Sequence, residues 1–233
     1  MAVAPFPTLA RPVARIRSEL WLALPGPITE GPLRTAEVDG AHTLDASDAI
    51  AHPGALLDAW LSGTTELTCC SLAVGLQLYV DGALWTGGYH DHFWHLGGWA
   101  RLGLDLVAAQ PSSTFVWDES LLRARIEGPL AMVWDEHVLQ RGGRDAWWPI
   151  RCDRLAMARA IDDAGGRIDA LRSRLVEALD RRVDRLSLPR FDPDDDRPRA
   201  RDPITKLALI DHEVARRLDR LAFRELSAAV RAV

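Results

Sequence analysis

The chain has 233 residues, 48% of them hydrophobic and 26% charged, with a formal net charge of −5 at pH 7. That composition fits a globular domain and excludes disordered, collagen-like and disulfide-scaffold classes. The acidic balance argues against a general nucleic-acid binder, which is normally basic.

The first 27 residues, MAVAPFPTLARPVARIRSELWLALPGP, contain Pro5, Pro7 and Pro12 and no continuous apolar core, so they do not read as a signal peptide. Val13–Leu24 predicts a strand. Ile16, Leu20, Leu22 and Leu24 share one parity, with Arg15, Arg17 and Glu19 on the other. Residues 26–46 read as irregular. Pro53 suits the first turn of a short helix to Leu61. Glu66–Val80 and Ala83–Thr86 form a hairpin signal, turned by Asp81-Gly82, a pair that favours two positive φ angles.

A helix is expected from about His92 to Ala109, capped by Asp91, with Gly97, Gly98 and Gly103 each weakening it by roughly 1 kcal/mol relative to Ala. Thr114–Trp117, Leu122–Glu127, Leu130–Val138 and Trp147–Cys152 then read as an antiparallel meander with one wet face. From Leu155 a helical pattern runs to Leu188. Leu171, Leu175, Leu179, Val183 and Leu186 form its stripe. Pro189–Pro203 reads as a linker, and Asp202-Pro203 starts a last helix with the stripe Leu207, Ile210, Val214, Leu218 and Leu221.

The resulting fold class is α+β: an antiparallel sheet from residues 13–24, 65–86 and 114–152, covered by helices, with two long C-terminal helices. The domain map places an α+β domain at 1–188, a linker at 189–203 and a C-terminal helix at 204–233. That helix is expected to pack its stripe on the helix at 167–188.

Cys69–Trp99 is the richest stretch, holding three of the nine Trp, three of the seven His, two of the three Cys and both Tyr. His90, His92 and His95 are the best metal candidate, because three imidazoles could make an open zinc site. Their spacing matches no zinc-protease signature. Asp135 and His137 would share one strand face, as an acid and base pair would need, although a solvated strand end is the plainer reading. Asp192, Asp194 and Asp196 imitate the start of a calcium loop, but Arg197 stands where that loop needs Gly and Pro203 where it needs Glu. No nucleophile elbow, phosphate loop or dinucleotide fingerprint occurs. The catalytic set is therefore empty and no cofactor is implied.

Trp147 and Trp148 are adjacent, so on a strand they face opposite ways and one of them can anchor a partner. Tyr89 and Trp94 join them as candidate binding aromatics. Residues 1–150 carry 9 Arg against 17 acids, a net of −8, whereas residues 151–233 carry 19 bases against 16 acids. An acidic first part suits a basic protein partner. Three cysteines without a C-x-x-C, together with no apolar run of about 18 residues, suit a reduced, cytoplasmic protein outside the membrane. The excess of Arg over the single lysine, Lys206, suggests a GC-rich bacterial genome.

Two stretches carry a resemblance: LQLYVDGALWTGGYHDHFWHLGGWARLGLDL, and WWPIRCDRLAMARAI continuing to RLVEALDRRVDRL. Together they resemble small bacterial proteins encoded beside polymorphic toxins or defence genes, over residues 70–186. The resemblance implies a single-domain, non-enzymatic immunity or defence-accessory role, and it carries over no functional residue. Three readings stand: a protein-binding module of that kind, a metal-dependent hydrolase using His90, His92 and His95, and a structural subunit that oligomerises through its C-terminal helices.

Overall fold

The computed structural model describes residues 10–24, 26–28, 31–33, 35–38, 41–62, 66–68, 74–86, 96–117, 120–136, 148–192, 199–217 and 221–233. In these residues the α+β class holds, but the strands divide between two five-stranded sheets and a two-stranded ribbon.

The first sheet is built on β2 (Ile16–Leu24), whose alternation buries Ser18, Leu20, Leu22 and Leu24. Its neighbours are β4 (Ala41–Asp45) on one side and β6 (Val74–Val80) on the other, both antiparallel. β3 (Ala36–Val38) and β7 (Ala83–Thr86) complete it in the order β3-β4-β2-β6-β7. Both β3 and β4 lie in the stretch expected to be irregular. The turn between β6 and β7 has φ of 49° at Asp81 and 87° at Gly82, the pair of positive angles that Asp-Gly favours. The Asp81 carboxylate also accepts the N–H groups of Ala14 and Arg15, tying the turn to the start of β2.

The second sheet runs β1-β11-β10-β9-β8. β8 (Ser112–Trp117), β9 (Ser120–Glu127), β10 (Leu130–Asp135) and β11 (Ile150–Asp153) form the expected meander, and β1 (Arg11–Pro12) adds in parallel to β11. Pro12 has no N–H to donate, which suits an edge strand. One face carries the expected charges. Arg123 pairs with Glu136, and Arg125 and Arg151 both reach Glu127, whose carboxyl is held below its usual range, mainly by the Arg125 hydrogen bond.

Helices lie between and around the sheets. α1 (Ala46–Ala51) starts where the Asp45 carboxylate accepts the Ser47 N–H at 2.6 Å, and α2 (Pro53–Ser62) has Pro53 at its first position as expected. α3 (Leu96–Val107) packs on β8 and β9; its forecast start at His92 and cap at Asp91 lie outside the described residues. α4 (Arg154–Asp180) is 27 residues long, capped by Asp153, and passes through Gly165-Gly166 without a break. It packs on β2 and α3, with Arg167 donating to the Ser18 carbonyl at 2.8 Å and Arg154 capping the Leu106 and Val107 carbonyls at the end of α3. α4 thus joins the two halves of one continuous core.

After α4 the chain departs from the expected pattern. The helix forecast to Leu188 ends at Asp180, and a single 3-10 turn, Arg185–Ser187, follows. Part of the segment expected as a linker is fastened. β12 (Arg199–Ala200) pairs with β5 (Leu67–Thr68), Ala200 is buried, and Arg199 and Arg201 both reach Glu66. α5 (Pro203–Arg217) begins at Asp202, whose carboxylate accepts from Ile204 and Thr205 and is lowered below its usual pKa chiefly by the Thr205 side chain. α6 (Leu221–Arg231) then lies on α3 and α4.

Candidate functional site

A groove of about 1050 Å³ lies where the end of α4 meets α5. Its origin is local. Asp184 is extended, with φ −70° and ψ 105°, and its side chain accepts the Leu186 N–H at 3.0 Å. A short acid that bonds its own backbone two residues on competes with helix, so the stripe that began at Leu171 is interrupted. Leu188 turns back into the core, while Leu186 points out at 88% exposure.

The groove floor is held by charge. Arg185 donates to Asp211 on α5 at 2.6 Å and to Asp180 at 3.4 Å. Burial is the largest single influence and works against this guanidinium, but the hydrogen bonds and charges of Asp211 and Asp180 together outweigh it, raising its pKa above the ordinary arginine value. Phe191 packs on the core beside His212, with ring centroids 5.9 Å apart. Three aspartates, Asp180, Asp184 and Asp211, line the groove with Arg185 and Arg190. Apolar surface flanked by charged groups can seat a protein segment, since the apolar part supplies area and the rim supplies orientation.

Of the aromatics singled out in the sequence, Tyr89, Trp94 and Trp147 lie outside the described residues, as do His90, His92 and His95. Trp148 is described, and it is engaged rather than free. It is half-buried against the core, the Arg11 guanidinium lies 5.4 Å from its ring centroid, and its carbonyl accepts the Trp85 indole N–H at 2.7 Å. Trp85 is fully buried at the end of β7, so this bond joins the two sheets.

Asp135, expected at a solvated strand end, is instead fully buried on β10, and His137 lies outside the described residues. Glu136 pairs with Arg123. Asp192 is exposed, and Asp194 and Asp196 lie outside the described residues. Among the described residues no group of three or more His, Cys, Asp or Glu is placed to hold a metal, and no helix is long and apolar enough to cross a membrane.

Sequence reading missed the groove because Leu186 fits the spacing of a buried helical stripe. The one available signal was Asp184, a residue type that favours caps over helix interiors.

Comparison of the chain with known protein families, curated proteins and solved structures finds no match.

Proposed function

We propose that this chain is a non-enzymatic protein-binding module, an immunity or defence-accessory protein of the cytoplasm that meets a basic protein partner. The observation that carries the reading is the open groove beside Leu186, where exposed apolar surface adjoins charged groups of both signs, Asp180, Asp184 and Asp211 with Arg185 and Arg190. The basic character of the partner rests on the net of −8 over residues 1–150, a surface separate from the groove at residues 180–215. A negative surface speeds the encounter with a basic protein and makes the association sensitive to salt. Proteins that attack nucleic acid are commonly basic, which makes an acidic neutraliser physically apt.

The test is binding kinetics with the partner recovered from the cells that make the protein. The association rate should fall about tenfold or more between low and high salt, with a smaller change in the dissociation rate. Recovery of a turned-over small molecule and no protein partner would overturn the reading.

A further inference from the structure

We propose that Lys206 is a concealed acceptor for acyl transfer: the folded chain offers no ε-amine to an activated carboxyl donor such as a thioester, and opening of the β5–β12 ribbon with the first turn of α5 exposes one.

Of the 28 lysine and arginine residues in the chain, Lys206 alone is a lysine. It lies in the interior at 2% exposure, and no arginine among the described residues is buried. A lysine ordinarily buries its stem and keeps its ammonium in water. The two cations are not interchangeable inside a protein: the guanidinium is planar with five donors, whereas the ammonium is compact with three. The surface of this chain uses arginine throughout, and the compact head is kept for the interior.

The consequence is chemical. Amide formation requires the ε-nitrogen to meet the carbonyl carbon of the donor. A side chain 2% exposed gives no such approach, and no second lysine can substitute for it. In the opened chain the ammonium gives one proton to water and the neutral nitrogen attacks the carbonyl carbon. An amide bond forms, the carbon–sulfur bond breaks, and the thiol leaves with the second proton. The product is larger than the ammonium and uncharged, so it does not fit back into the same site. Acylation therefore holds the chain open.

The cover is light. Lys206 stands on the first turn of α5, where its N–H donates to the Asp202 carbonyl at 2.9 Å. α5 packs against both β5 and β12, strands of two residues each. Ala200 and Leu67, paired across the ribbon, are buried. Beside them Glu66 holds Arg199 and Arg201, whose side chains are 65% and 83% exposed. Ion pairs so exposed contribute little. The ribbon and first turn therefore open at a lower cost than the whole fold.

The test uses the full chain, with N-hydroxysuccinimidyl acetate as the acyl probe and peptide mass mapping as the readout. Arg224→Lys on α6, an exposed position, supplies a reference amine in the same molecule. In the native protein position 224 should be acetylated at the rate seen in urea, and Lys206 at least about a hundredfold more slowly. Glu66→Gln should speed acetylation of Lys206 about threefold or more, with the rate at 224 and the urea midpoint nearly unchanged. Acetylation of native Lys206 as fast as position 224 would overturn the concealment. Acetylation that follows global unfolding alone, with Glu66→Gln without effect, would overturn the ribbon as the gate. Chain acetylated at Lys206 in urea should refold with a lower urea midpoint than unmodified chain; equal midpoints would show that the product returns to the interior.

Discussion

Gly165 on α4 lies directly beneath the ring of Phe223 on α6: a Cβ added to the glycine would stand 2.9 Å from Phe223 Cγ and 3.0 Å from its Cβ. The same helix α6 meets α3 at Gly103, where an added Cβ would stand 2.7 and 2.8 Å from the two methyls of Leu226. These two glycines let the last helix approach closely enough to bury Phe223 and Leu226. Gly166, the next residue, faces solvent, with nothing within 4 Å of an added Cβ.

Adjacent glycines should therefore respond with opposite signs to the same substitution. Gly166→Ala should stabilise by about 0.5–1 kcal/mol, the ordinary helix-propensity gain. Gly165→Ala gains the same propensity but forces Phe223 aside, and overpacking costs roughly 1–3 kcal/mol. The net should be a loss of up to about 2.5 kcal/mol. In a Phe223→Ala background the loss should vanish, because the obstructing ring is gone. Urea denaturation of the four variants checks this. Equal effects at 165 and 166 would place α6 elsewhere.

The same contacts mark where the sequence was legible and where it was not. Asp81-Gly82 announced its turn because both residues act locally, through their own φ angles. The alternation in β2 and β9 was equally local, as was the Asp202-Pro203 helix start. Gly103 and Gly165 could be read only as helix penalties, since the rings and methyls that require them belong to residues 58 and more positions away. The division into two sheets was hidden for a similar reason. β1 pairs with β11, and β2 pairs with β4 and β6, choices set by packing around α4 rather than by any strand's own pattern. Leu186 shows the converse: a helical spacing that Asp184 interrupts.

Two positive-φ positions should also respond in opposite directions. Two residues past the end of α3, Ala109 has φ 53°, while the Gln110 N–H bonds the Asp105 carbonyl at 2.8 Å and the Ala109 N–H bonds the Leu106 carbonyl. This is the bonding of a helix C-terminus that normally uses glycine. A residue with a Cβ costs roughly 1–2 kcal/mol in that conformation, so Ala109→Gly should raise stability by up to about 1 kcal/mol. Gly82, at φ 87°, already has the freedom its turn requires. Gly82→Val should destabilise by about 1–2 kcal/mol, as a β-branched residue resists that angle. Thermal unfolding of both variants checks the signs. An unchanged melting temperature for Gly82→Val would argue against the turn geometry.

Cys152 should behave as an inert core residue whose contribution to stability is lost at high pH. It is 1% exposed on β11, its Sγ lies 4.0 Å from Met157 Sδ, and burial, helped by the neighbouring Asp153, pushes its thiol from an ordinary 9.0 up to about 12. Only the thiolate reacts readily, so Cys152 should resist iodoacetamide at pH 8 in the folded protein and react once it is unfolded. The sign of the pH effect follows from proton counting. Below about pH 9 both states keep the thiol proton, and the group adds no pH dependence. Between about 9 and 12 the unfolded chain releases that proton while the folded chain retains it, so stability falls as pH rises. The slope, rather than the absolute stability, is the readout, because Cys152→Ala also removes packing. Urea midpoints from pH 8 to 10.5 should decline more steeply for the wild type than for Cys152→Ala. Equal slopes, or mapped alkylation of Cys152 in the native protein, would show that β11 opens to solvent where it packs against the start of α4.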